Sequence, residues 1–94
     1  MNELNMTELE EEREALLMEL SSNNRDDSIV NYKPGTFGCH ELLDRTAVLM
    51  RFLEDSVVTH PACLQNSRWF RLAREASMAL HELYQEVGAA HLSD

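Results

Sequence analysis

The sequence is poor in the residues that make turns and strands. Its 94 residues include three glycines and two prolines, and few β-branched side chains occur in the apolar runs. These shortages argue against a sheet, because strands favour β-branched residues and frequent turns need glycine or proline. We therefore predict an all-α fold. A domain of this length buries little apolar surface by itself, so we also expect a homo-oligomer.

The sequence also lacks the features of a membrane or secreted protein. No apolar run approaches the roughly 18 residues that a membrane-spanning helix needs. The N-terminus is acidic and has no basic start followed by an apolar stretch, as a secretory leader would. The two cysteines are Cys39 and Cys63. We expect a cytoplasmic protein that has no membrane contact and keeps its thiols reduced.

Positive charge is scarce, and negative charge is concentrated at one end. The formal net charge is −9. Residues 1–27 hold nine acidic and two basic side chains, whereas residues 28–94 hold eight and six. Such a chain does not bind nucleic acid through general electrostatics, so no direct nucleic-acid binding is expected. A local site for one small anion remains compatible with this balance.

The N-terminal residues predict a short acidic helix. Thr7 and Glu10 have the spacing of a capping box, in which each side chain bonds the other residue's backbone N–H. Apolar residues then recur on one side as far as Leu20. Residues 21–27 have the composition of a loop. We assign residues 1–27 to an acidic N-terminal arm.

Residues 28–94 predict an antiparallel helical hairpin. Ile29, Val30 and Tyr32 precede Pro34 in an extended stretch. Apolar residues at helical spacing indicate two longer helices, at about residues 39–59 and 67–87. The short connector between them requires the second helix to return antiparallel. Gly88 is expected at the C-terminal cap.

The stretch "NYKPGTFGCHELLDR" joins a turn to the start of a helix. Gly35, Thr36 and Gly38 lie immediately before a helix N-terminus, where free backbone N–H groups and the helix dipole attract phosphate. Lys33 adds a positive charge nearby. The same residues also fit a plain helix entry through a tight turn, and the sequence leaves both interpretations open.

The second long helix begins with three arginines: Arg68, Arg71 and Arg74. Cations at a helix N-terminus oppose the dipole, so local helix stability does not explain them. They either pair with Glu54 and Asp55 at the same end of the hairpin or bind a phosphate. Trp69 and Phe70 point about 100° apart on this helix, so one of them should be exposed, at an interface or beside a ligand.

Cysteine and histidine do not form a recognisable metal or catalytic pattern. Two pairs occur, Cys39 with His40 and His60 with Cys63. About twenty helical residues separate the pairs, or roughly 30 Å, which is too far for one tetrahedral zinc within a protomer. We predict no metal, no cofactor and no catalytic residue. A metal shared across a subunit interface and an enzyme using Cys39 and His40 remain open.

One stretch resembles a known family. Tyr32, the helix after it, the polar connector and "SRWFRLAREASMALHELYQEVG" are similar to the hairpin domain of phage sponge proteins. These are small anti-CBASS and anti-Thoeris proteins that sequester cyclic nucleotide signals. The similarity covers about residues 32–88. It implies a homo-oligomer that holds cyclic nucleotides between protomers without chemistry, with Tyr32 stacking on a base and Arg68 or Arg71 contacting phosphate.

These observations favour a non-enzymatic, oligomeric protein that captures a small phosphorylated ligand such as a cyclic nucleotide. The predicted ligand-binding residues are Tyr32, Lys33, Gly35, Thr36, Gly38, Arg68 and Arg71. The alternative is an acidic protein-interaction inhibitor or adaptor, in which the helix from Thr7 to Leu20 docks on a basic partner surface.

Overall fold

The computed structural model describes residues 5–23 and 32–92. No strand occurs in these two ranges, which confirms the predicted all-α fold. The chain divides into two compact units, residues 1–31 and 32–94. Ile29, Val30 and the last residues of the predicted loop lie outside the described ranges. None of the helices within these ranges is both long enough and apolar enough to cross a membrane.

The first unit contains helix α1, Met6–Asn23, which extends three residues beyond the predicted end at Leu20. The predicted capping box is wrong. Asn5 caps this helix instead, because its Oδ1 accepts hydrogen bonds from the backbone N–H of Thr7 at 2.8 Å and of Glu8 at 3.4 Å. Because the Thr7 N–H donates to Asn5, it does not donate to the Glu10 side chain as a capping box requires.

Helix α1 presents an acidic, exposed surface. Every residue from 6 to 20 is exposed except Leu9, which is half-buried. Glu10 forms hydrogen bonds with the Arg13 guanidinium one turn later. That hydrogen bonding lowers the pKa of the Glu10 carboxyl below its ordinary value. The remaining glutamates keep the net charge of the helix strongly negative.

The second unit holds the rest of the described helices. They are α2 (Phe37–Phe52), a π-helical turn (Leu53–Val58), α3 (Pro61–Leu64) and α4 (Ser67–His91). Helix α2 begins two residues before the predicted start because Thr36 caps it, with its hydroxyl accepting from the Cys39 N–H at 3.3 Å. Asn66 caps α4 in the same way through the Trp69 N–H, as the sequence predicts for a start at Ser67.

The hydrogen-bonding pattern changes at the end of α2. The α-helical pattern ends at Phe52, and six residues continue as a π-helix. Thr59 follows, and its hydroxyl donates to the carbonyl oxygens of Glu54 and Asp55 at 3.1 and 3.2 Å. Apolar periodicity does not predict this change. Single π-helical turns inside α-helices are rare and occur frequently at functional sites.

Helix α4 does not end at Gly88, so the predicted C-terminal cap is wrong. The helix continues to His91, and Gly88 does not have a positive φ. Gly88 instead lies beside α2, where an added Cβ would be 3.8 Å from Leu43 Cδ2. The alanines at positions 89 and 90 are good helix formers and carry the helix onward.

Helices α2 and α4 pack against each other in antiparallel order. Successive contacts join Gly35 to His91, Leu43 to Gly88, and Glu54 to Ser77. The buried side chains of this unit are small. They are Cys39, Thr46, Val58, Cys63 and Ser77. The larger apolar side chains are half-buried or exposed, so this unit has a thin core.

The two glycines give opposite predictions for stability. Gly35 has φ +87°, so Gly35→Ala places an L-residue in the left-handed region and should lower the free energy of unfolding by about 1–2 kcal/mol. Gly88→Ala should raise it by about 0.5–1 kcal/mol, because alanine favours a helix interior and its Cβ meets Leu43 at ordinary contact distance. Urea denaturation at one fixed protein concentration measures both. A neutral Gly35→Ala or a destabilising Gly88→Ala would contradict this account of the backbone.

Candidate functional site

The turn before α2 is stabilised by hydrogen bonds among its own residues and to the first turn of the helix. The Thr36 N–H donates to the Lys33 carbonyl oxygen at 3.0 Å. The Thr36 hydroxyl both donates to that same carbonyl and accepts from the Cys39 N–H. Gly35 has the one positive φ among the described residues, as the tight turn requires. This hydrogen bonding is that of a helix entry through a tight turn, one of the two interpretations that the sequence left open.

The end of α4 holds this turn in place. The Gly35 N–H donates to His91 Nδ1 at 2.9 Å, and the rings of His40 and His91 lie 5.8 Å apart between centroids. Two N–H groups of the predicted anion nest, those of Gly35 and Thr36, are thus used within the fold. The N–H groups of Phe37 and Gly38 have no acceptor among the described residues. These two donors, beside exposed Lys33 and Tyr32, are what the turn offers to an anion.

The three arginines of α4 have three different environments. Arg74 Nη1 lies 3.8 Å from Glu54 Oε1, which is one of the predicted pairings. Arg71 Nε instead bonds Glu75 on its own helix at 3.1 Å. Arg68 has no acidic partner within the described ranges, and it is exposed. Its positive charge at a helix N-terminus is therefore not compensated by any residue that the structure describes.

The two groups of predicted ligand-binding residues do not meet within one chain. The turn contacts His91 at the end of α4, whereas Arg68 and Arg71 lie at its beginning. The twenty residues from Arg71 to His91 correspond to about 30 Å of helix. One ligand of nucleotide size cannot contact both groups in a single protomer. The predicted ligand-binding residues therefore form two separate groups, which we call the turn half-site, Tyr32–Gly38, and the arginine half-site, Arg68 and Arg71.

Both half-sites have exposed aromatic side chains. Tyr32 is 57% exposed beside the turn, and Trp69 is 56% exposed beside Arg68. Phe70 is less exposed, at 37%. The expectation that one of Trp69 and Phe70 is exposed is thus met by Trp69 most clearly. An exposed aromatic ring next to a cation is a surface suited to stacking.

A polar cluster lies between the half-sites, and of its contacts the sequence predicted only the pairing of Arg74 with Glu54. The Ser77 hydroxyl, 1% exposed, donates to Glu54 Oε1 at 2.8 Å. The same carboxylate oxygen is 3.8 Å from both Arg74 Nη1 and His81 Nε2. Glu54 belongs to the π-helical turn, which carries its carboxylate to α4. The spacing of Arg74, Ser77 and His81 on one helical face was the signal available in the sequence.

Two surface grooves adjoin this cluster and share Glu54 and His81. One has a volume of about 330 Å³, and its other lining residues are Arg74, Ser77, Met78, Glu82 and Gln85. The second has a volume of about 450 Å³, and its other lining residues are Ala47, Met50, Arg51 and Tyr84. Their walls mix both charge signs with apolar side chains. Neither groove includes a residue of the two half-sites.

The cysteines are buried and unbonded. Cys39 lies in the first turn of α2, and Cys63 lies in α3. His60 caps α3 by accepting the Ala62 N–H at 3.1 Å, so its Nδ1 is engaged. The described ranges contain no group of three or more metal-ligating side chains. Both thiols are buried in this unit, the environment of a small apolar side chain.

Comparison of the chain with protein-family models, curated proteins and solved structures gives no match. The geometry of the two half-sites and of the helix faces therefore carries the functional argument.

The hydrogen bond between Ser77 and Glu54 should contribute measurably to the free energy of unfolding, because it joins the π-helical turn to α4. Glu54→Ala leaves the buried Ser77 hydroxyl without its acceptor and should cost about 1–3 kcal/mol of unfolding free energy. In a Ser77→Ala background the same change should cost about 1 kcal/mol less, because no hydroxyl is left unsatisfied. Glu54→Gln keeps an acceptor oxygen and is the matched control. A double-mutant cycle by urea denaturation measures the coupling; a value near zero would show that the hydrogen bond makes no such contribution.

Proposed function

We propose that this protein is a non-enzymatic, homo-oligomeric binder of a small phosphorylated ligand, with a cyclic nucleotide signal as the ligand class. It captures the ligand and performs no chemistry on it. In this function the protein would act as a sponge, lowering the concentration of a signal that another system uses. The resemblance of residues 32–88 to phage anti-defence sponges supports this assignment.

Arg68 is the observation that carries the proposal. Its guanidinium is exposed, has no acidic partner in the part of the chain that the structure describes, and opposes the dipole of α4. Fold stability gives no reason for a cation at this position. A phosphate would compensate the charge through charge-assisted hydrogen bonds, and exposed Trp69 next to it suits a nucleobase.

The separation of the half-sites supports an oligomer. The turn offers two free N–H donors, a lysine and a tyrosine, while the other half-site offers the arginines and a tryptophan. Since about 30 Å of helix lies between them, both can contact one ligand only if they come from different protomers. The thin core is in keeping with this, because association would bury apolar side chains that one chain leaves exposed.

Alanine substitution at Arg68 tests the ligand site. Arg68→Ala removes the uncompensated cation and should raise the Kd for a bound cyclic nucleotide by about ten- to a hundredfold, the value of one charge-assisted contact. The double change with Arg71→Ala should abolish binding while helicity is kept. Arg13→Ala in α1 is the matched control, since it makes the same change in charge in the other unit.

The assay is native mass spectrometry with and without a panel of cyclic dinucleotides and trinucleotides, followed by calorimetry for any that bind. Binding that Arg68→Ala and Arg13→Ala leave equally unchanged would overturn the site assignment. An oligomer that takes up no member of the panel would overturn the ligand class.

Deletion of residues 1–27 separates this function from the alternative, an inhibitor that docks through its acidic helix. A sponge should keep its ligand after the deletion, because both half-sites belong to residues 32–92. An inhibitor should lose its partner, since α1 carries the acidic surface. Loss of nucleotide binding in the truncated, folded protein would contradict the assignment of the site to the second unit.

A further inference from the structure

Helix α2 has two apolar faces, and α4 covers only one of them. The inner face includes Cys39, Leu43, Thr46 and Met50, all of which are buried or half-buried. A second face consists of Leu42, Val48, Leu49 and Phe52, which we call the outer face. Its four side chains are between 45% and 63% exposed. A solvated helix face carries polar residues, so four large apolar side chains here indicate a surface that another molecule covers.

The outer face bears a groove with charged residues on its rim. The groove has a volume of about 570 Å³ and is lined by Asp44, Arg45, Val48, Leu49 and Arg51. Arg45 is paired with Glu41 at 3.5 Å. Asp44 and Arg51 have no ion pair within the described ranges. They are seven residues apart, or about 10 Å along the helix, which places them on one flank but out of reach of each other.

This charge pattern is self-complementary. When two copies of α2 lie antiparallel across a two-fold axis, the same flank of each helix meets the other. With the axis between residues 47 and 48, Asp44 lies opposite the partner's Arg51, and Arg51 lies opposite the partner's Asp44. Two symmetric ion pairs then border the apolar side chains of the outer face. A chain of unrelated sequence would match this pattern only by coincidence.

We infer that the outer face of α2 binds a second copy of this chain as an antiparallel, two-fold pair. The apolar residues supply the buried contact, and the Asp44 and Arg51 pairs set the register and direction. A shift of the register by one helical turn would bring charges of the same sign together or leave them unpaired. The charge pattern of α2 thus identifies a second copy of α2 as the molecule that covers the outer face.

The same pairing has a consequence that rests on the proposed function. In an antiparallel pair, the start of α2 in one protomer lies at the same end as the π-helical turn and the start of α4 in its partner. The turn half-site and the partner's Arg68 are then at one end of the dimer, although they are about 30 Å apart within a chain. The two-fold axis repeats the arrangement at the other end.

Charge reversal tests the interface without any ligand. Asp44→Arg places cation against cation, and Arg51→Asp places acid against acid. Each single variant should raise the dimer Kd by roughly tenfold or more at low salt, because two attractive pairs become repulsive. The double variant D44R/R51D restores opposite charges and should return the Kd to within about threefold of wild type. Sedimentation equilibrium at several protein concentrations measures these values.

Two controls keep the test decisive. Glu86→Arg makes the same change in charge as Asp44→Arg at an exposed position of α4, away from the outer face, and should leave the Kd unchanged. Circular dichroism checks that each variant keeps its helicity. The effect of the single reversals should shrink at high salt, where exposed charges are screened. A monomeric wild type, single reversals without effect, or a double variant weaker than both singles would overturn the inference.

The outcome is separable from that of the proposed function. A dimer that follows the charge-reversal pattern but binds no cyclic nucleotide supports this interface and overturns the ligand class. Ligand binding by an oligomer that ignores the reversals overturns this interface and leaves Arg68 as the ligand contact.

Discussion

The small side chains between α2 and α4 determine the rest of the second unit. Thr46 and Ser77 are almost fully buried, and Gly88 lies against Leu43 without a Cβ between them. Each buried hydroxyl has a partner: Thr46 bonds the Leu42 carbonyl oxygen at 2.8 Å, and Ser77 bonds Glu54. Small residues let the two backbones approach closely, but they leave little volume for large apolar side chains between the helices. Those side chains therefore lie on other faces, where several of them are exposed.

The polar contact in this interface has a different role from the apolar ones. Apolar contacts tolerate a shift of one helix along the other, whereas a hydrogen bond from a buried hydroxyl has one partner at one position. The π-helical turn brings the Glu54 carboxylate to that position, and Arg74 and His81 approach the same oxygen. The register of α4 on α2 thus depends on this cluster. That register fixes where the turn half-site and the arginine half-site lie.

The sequence was sufficient for the fold class and insufficient for the details that position a site. Apolar spacing and the scarcity of turn residues predict helices, and the predicted start of the last helix at residue 67 is correct. Several polar side chains near a helix start can accept from its free N–H groups. Asn5 does so in α1, in place of the predicted pair of Thr7 and Glu10. Gly88 fits a helix end locally, but its contact with Leu43 keeps it inside the helix. The hydrogen bond from Gly35 to His91 joins residues that are distant in sequence, and the π-helical turn depends on packing. Apolar periodicity predicts neither feature.

The proposed ligand site and the proposed interface on the outer face of α2 call for the same arrangement of two chains. The proposed interface covers the exposed apolar side chains on α2, and in it the seven-residue spacing of Asp44 and Arg51 is matched by the same helix running in the opposite direction. Separately, a ligand that needs both half-sites requires the start of α4 to lie near the start of α2, which one chain places at opposite ends. An antiparallel two-fold pair meets both requirements with one operation. A parallel two-fold pair would satisfy neither, because it would place the Asp44 and Arg51 flanks of the two helices on opposite sides of the interface and keep the half-sites apart.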